Sequence, residues 1–229
     1  MAMRCTQRTL RQTLIAGALM ATTIGGAFAV PVTTPNITPI YSQAAFGART
    51  ITIRYLPTIF LNRPDLAYIN SAADFAALAT AAPAASPVVD AFFVQAINWC
   101  GGFATGIVGC AQTPGHVLAL DGGFMAAGGV SASQDIAHEL GHNLGLNHVN
   151  PAVANVGDNL MNPILFGDTT LTGAQAATIL ASGLVQTGAG GALFITIQPI
   201  DVPEPATIAL FGLAFAGLAA GRRRRTGGA

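Results

Sequence analysis

The chain has no lysine, and only 9% of its 229 residues are charged. What basic charge exists is pushed to the ends. Arg4, Arg8 and Arg11 stand at the start and Arg222 to Arg225 at the finish, while Val30 to Asp201 holds only Arg49, Arg54 and Arg63 against nine acidic residues. A mildly acidic central part has no field with which to hold phosphates, so no nucleic-acid partner is expected. Cysteine is scarce too, with three residues in all. Cys5 belongs to the first segment, which leaves Cys100 and Cys110 with nine residues between them. Two cysteines alone do not make a thiolate metal site. In an oxidising compartment they would form a disulfide whose short loop contributes about 2–3 kcal/mol.

Hydrophobic residues, by contrast, make up 52% of the chain, which points to an exported or membrane-associated protein before a cytosolic one. Both ends read as addresses. "MAMRCTQRTLRQTLIAGALMATTIGGAFA" has a basic start, an apolar stretch from Leu14 to Ile24 and an A-x-A site at Ala27-Phe28-Ala29, so residues 1–29 are predicted to be a cleaved signal peptide. That apolar stretch is short against the roughly 20 residues of a membrane span. At the other end Pro203-Glu204-Pro205 precedes sixteen uncharged residues, Ala206 to Gly221, and then four arginines. Physics alone allows a short membrane helix with its arginines on the cytoplasmic side. The order of parts resembles the PEP-CTERM sorting tail of certain Gram-negative bacteria. The resemblance implies an exosortase of the inner membrane as partner, a transient membrane anchor at 202–229, and delivery to the cell surface or extracellular matrix. Either reading places residues 30 to 201 outside the cytoplasm.

Between the addresses, "PVTTPNITPIYSQAAFGA" lacks clear periodicity, and residues 30–48 are read as an extended lead-in. Ile51, Ile53 and Tyr55 alternate with Thr52 and Arg54 as in a half-buried strand. Ser71 can cap a helix that places Phe75, Leu78 and Ala79 on one face. "VVDAFFVQAINWC" is apolar enough for a central strand, and "HVLAL" is a short strand ended by Asp121-Gly122-Gly123. After the histidine-rich segment, Thr172 can cap a last helix in "LTGAQAATILAS". This order predicts an α/β fold, one sheet with helices packed on it.

"SASQDIAHELGHNLGLNH" carries three of the four histidines. Ser131 or Ser133 can cap a helix running through Asp135 to Leu144. On such a helix His138 and His142, four apart, reach one ion from the same face, while Glu139 lies beside them as a general base would. His148 would point about 120° away if the helix continued at about 100° per residue. Gly145 is the hinge, because only glycine takes a left-handed turn without a Cβ penalty. Three imidazoles and an open position suit a catalytic rather than a structural zinc site.

Residues His138, Glu139, His142, Gly145 and His148 fill every position of H-E-x-x-H-x-x-G-x-x-H, and Met161 follows in "DNLMNP". In this the segment resembles the metzincin metallopeptidases, most closely their matrixin-like branch. The resemblance implies a metallopeptidase domain over 49–200 with a twisted, mostly parallel five-stranded sheet, an active-site helix and a small C-terminal helical subdomain. It also implies Zn²⁺ on the three histidines, Glu139 as base, Met161 on a tight turn beneath the metal, and an edge strand at Val117, Leu118 and Ala119 that pairs with peptide substrate. Val149 and Pro163 depart from the family, which usually has serine and, in some members, tyrosine there. The function expected is an exported, monomeric zinc endopeptidase. The alternative is a non-catalytic zinc-containing surface or matrix protein on the same fold.

Overall fold

The computed structural model describes residues 32, 34–150, 158–165 and 167–202. The expected signal peptide, and the sorting tail from 203 onward, lie outside the described residues. In chain order the elements are β1 (Ile51–Tyr55), β2 (Ile59–Phe60), β3 (Tyr68–Ile69), α1 (Ala72–Thr80), β4 (Val88–Val94), β5 (Ala96–Trp99), β6 (Phe103–Ile107) and β7 (Gly109–Ala111). They continue with β8 (Val117–Asp121), α2 (Gly122–Ala127), α3 (Gly129–Asn143), α4 (Gly173–Ala181), β9 (Gln186–Thr187) and β10 (Leu193–Asp201).

The main sheet runs β1-β10-β4-β8-β7, with β2 and β9 also paired to β10, and its pairs are parallel except β7–β8 and β9–β10. β4 lies at its centre and is buried from Val89 to Val94, as a strand covered on both faces must be. Side chains alternate between two cores. Phe93, Leu118 and Leu120 meet Ile136 and Leu140 of α3 and Ile179 of α4, while Phe92, Val94, Val117 and Ala119 join Leu78 of α1 on the other side. Ser71 caps α1 by accepting from the Asp74 N–H, and Thr172 and Gln175 form a reciprocal capping box at α4, so both cap expectations hold. Among the described residues no helix is long and apolar enough to cross a membrane.

Four expectations change. The lead-in is not extended: Thr38–Ser42 and Ala44–Phe46 are 3₁₀ turns, and Ile37, Ile40 and Tyr41 enter the core because their spacing suits a single helical face. The apolar run at 88–99 is two strands. After Gln95 the chain leaves the main sheet and β5 joins β3 and β6 in a second, smaller one. The "DGG" after β8 opens a helix rather than a loop, since the Asp121 carboxylate accepts from the Phe124 N–H at 2.8 Å. Val117, Leu118 and Ala119 are not at an edge: β8 is covered by β4 on one side and by β7 on the other, which leaves β7 outermost.

The C-terminal strand β10 was not anticipated, and it sits between β1 and β4. Ile195 and Ile197 alternate with Phe194 and Thr196 as a strand demands, but Pro199 argues against a central position because it has no N–H for the ladder. The fold accommodates it with a gap in the neighbouring strand. Tyr55 pairs with Ile197 and Ile59 with Ile200, so residues 56–58 bulge past the proline. The Gln198 side chain bridges the bulge by donating to the Pro57 carbonyl at 2.7 Å.

Candidate metal centre and active site

Helix α3 begins earlier than its serines suggested. Gly128 and Gly129, at φ 69° and 80°, break the chain after α2, so Ser131 and Ser133 lie inside the helix and neither caps it. Asp135 consequently falls mid-helix, where it is only 1% exposed. Tyr41 donates to the Ala137 carbonyl at 2.7 Å and ties the 3₁₀ turns to the segment just before the first histidine.

The last turn ends as expected. Leu146 N–H donates to the Gly141 carbonyl and Gly145 N–H to the His142 carbonyl, with Gly145 at φ 98°. The reversal brings His148 back beside the helix. Its Nε2 lies 3.1 Å from the Nε2 of His138 and 3.1 Å from that of His142. The Nδ1 atoms of His138 and His142 each lie 2.7 Å from a carbonyl, of Leu160 and Leu146 respectively. A carbonyl only accepts, so both Nδ1 atoms carry the proton and both Nε2 atoms present lone pairs. Burial pushes the His138 pKa down to about 4 and lowers those of His142 and His148, which favours the neutral form of each. Lone pairs facing one another repel unless a cation lies among them. Tetrahedral ligands about 2.05 Å from zinc stand roughly 3.3 Å apart, close to the spacing found, so the donor set fits that ion. Among the described residues these three histidines are the group with metal-binding geometry, and His116 is not part of it.

Glu139 lines the same cleft of about 840 Å³, with Asp135, Phe124, Ile164 and Leu165. Its carboxyl is pushed well above the ordinary range, by burial first and by Asp135 second. Asp135 rises to about 8, through burial and then the Asp121 charge. One oxygen of each, Asp135 Oδ2 and Glu139 Oε2, has no hydrogen-bond partner. The edge strand presses on both: a Cβ at Gly109 would lie 2.5 Å from Glu139 Oε1 and 2.6 Å from Asp135 Oδ1. Cys110, next to Gly109, is bonded to Cys100 as expected, which fastens β7 to the end of β5.

Beneath the histidines, residues 159–161 touch all three ligand segments. The Leu160 carbonyl accepts from His138 Nδ1–H, the Met161 carbonyl accepts from Val149 N–H at 2.9 Å, and the Met161 sulfur lies against Gly141. A Cβ at Gly141 would stand 2.6 Å from that sulfur, which accounts for a glycine inside a helix, where it costs about 1 kcal/mol against alanine. Asn159 holds the segment by exchanging hydrogen bonds with Gln175 of α4. Asn143, which follows His142, donates to the carbonyls of Gln112 and Val117 and so fixes the β7–β8 turn to the helix. The sequence marks none of Gly109, Gly141 and Asn143 as functional, and it offers Asp135 only as an acid in an early helical turn. Only Gly141 carried a signal, as a glycine within a helical pattern.

Residues 48–149 match the model of the reprolysin-like metallopeptidases of family M12B. This segment is similar to a reprolysin-like metallopeptidase domain. The match covers less than half of the chain and ends one residue past His148, so Met161 and β10 lie beyond it. The matrixin-like branch expected above is not confirmed by it. Residues 201–225 match the PEP-CTERM protein-sorting motif, which implies an exported chain handled by an exosortase-type enzyme. No curated protein matches the chain.

Proposed function

We propose that the chain is a zinc-dependent endopeptidase of the metzincin type, exported by a signal peptide at 1–29 and sorted through its tail to the cell surface or extracellular matrix. The observation that carries this reading is the convergence of three neutral imidazole Nε2 atoms in a cleft that also holds an unpartnered, buried carboxyl. His138, His142 and His148 would hold zinc, and Met161 would form the floor beneath it. The bound ion would supply Lewis acidity to a water and to the scissile carbonyl.

The protein's own residues do the rest. Glu139, beside the histidines in the same cleft, takes the proton of the attacking water and passes it to the departing amine. β7, the outermost strand, offers its backbone to an extended peptide, the role expected of β8 from the sequence. Ile164 and Leu165 give the cleft an apolar wall, which favours an apolar substrate side chain. Glu139→Gln tests the mechanism. Zinc content should be unchanged, while hydrolysis of casein or a quenched fluorescent peptide falls by about 10²–10⁴-fold. Hydrolysis at the parent rate would refute the assignment of the base.

A further inference from the structure

The outermost strand on the side away from the cleft is unusually apolar. In "LPTIFL", residues 56–61, Leu56, Pro57, Ile59 and Phe60 are all exposed, Phe60 at 70%. A long apolar edge is a liability that proteins blunt with charge or cover. The nearest charges downstream, Arg63 and Asp65, neutralise each other at 2.7 Å. Ile59 pairs with Ile200 and Phe60 with Asp201, so the bare rim lies beside the last residues of β10. Val202 is buried, its N–H held by the Phe93 carbonyl. Pro203, Glu204 and Pro205 alone separate it from Ala206, where the sixteen-residue apolar run begins. That connection spans at most about 14 Å when fully extended.

We infer that the rim formed by Leu56, Pro57, Ile59 and Phe60 docks on the lipid bilayer that anchors the sorting tail. The inference rests on the membrane-anchor reading of that tail. A chain whose anchor starts so close to a buried strand end must present that end of its sheet to the membrane, and the side chains there are ones that partition into the headgroup boundary.

The test uses the full chain in vesicles of phosphatidylethanolamine and phosphatidylglycerol, with Cys5→Ser and the fluorophore NBD on Phe60→Cys or, for comparison, on Ala192→Cys at the opposite end of β10. Both chains should float with the vesicles, and bilayer-borne doxyl lipid should quench the probe at 60 at least about threefold more than the probe at 192. Adding Ile59→Asp should bring the two to the same level. Flotation with equal quenching overturns the docking and leaves the anchor standing. Failure to float overturns the anchor reading and the docking with it. A blue-shifted probe at 60 that depends on protein concentration without vesicles assigns the rim to a second copy instead. Quenching that appears only when a sorting enzyme is co-reconstituted assigns it to that protein.

Discussion

Gly109→Ala isolates the contact between the edge strand and the proposed base. The added Cβ would stand 2.5 Å from Glu139 Oε1 and 2.6 Å from Glu139 Cγ, against ordinary contacts of 3.4–4 Å. The glutamate or the strand must therefore retreat by about 1 Å, a displacement that costs a general base on the order of 10²-fold, or about 2.7 kcal/mol of transition-state stabilisation. Gly109 is not among the glycines with positive φ, so alanine brings no backbone strain there. The histidines lie elsewhere in the cleft and should be untouched. The assay measures kcat/KM on a quenched peptide beside zinc content and the thermal midpoint. Activity should fall about a hundredfold with one zinc retained. Overpacking of about 1–3 kcal/mol will lower the midpoint as well, so rates are compared well below it. Activity within threefold of the parent would show that β7 does not set the position of Glu139.

Gly145→Ala acts on the other half of the site. Its Cβ would meet only Thr178 Cγ2 at 3.6 Å, so there is room, but φ of 98° strains any residue with a side chain. Strain of about 1–2 kcal/mol, relieved only by moving His148, should weaken zinc binding about 5–30-fold in a competitive chelator titration; unchanged affinity would rule out the hinge. Asp90, fully buried in β4, has its pKa pushed up to about 6 by burial, which outweighs a backbone hydrogen bond at Ala84. A folded-state pKa above the unfolded value of about 3.9 means stability is intact at lower pH and drains away as pH rises toward 6. Asp90→Asn should match the parent near pH 4 and exceed it by about 1–3 kcal/mol at pH 8 in urea denaturation, and an equal difference at both pH values would refute the assignment.

Where one local rule dominated, sequence and structure agree. The alternation at Ile51–Tyr55, the caps at Ser71 and Thr172, and the spacing of His138, His142, Gly145 and His148 are short-range facts, and each appears as read. Disagreement arises where tertiary contacts decide. Pro199 marks β10 as an unlikely central strand until the bulge at 56–58 is known. The serines suggest too late a start for α3, because the break at Gly128–Gly129 looks, in sequence, like any glycine-rich loop. Strand order is invisible to a hydropathy pattern, and β8 lies inside the sheet between β4 and β7. Gly109 and Asn143 act through space on residues 30 and 26 positions away, Glu139 and Val117, and no spacing rule reaches them.

The most direct test of the account is zinc K-edge X-ray absorption on the purified chain, with His148→Ala alongside. One zinc per chain is expected, bound by three imidazole nitrogens and one oxygen ligand at about 2.0–2.1 Å, with one imidazole lost in the variant. A chain that is folded but binds no zinc, or a spectrum that His148→Ala leaves unchanged, would contradict it.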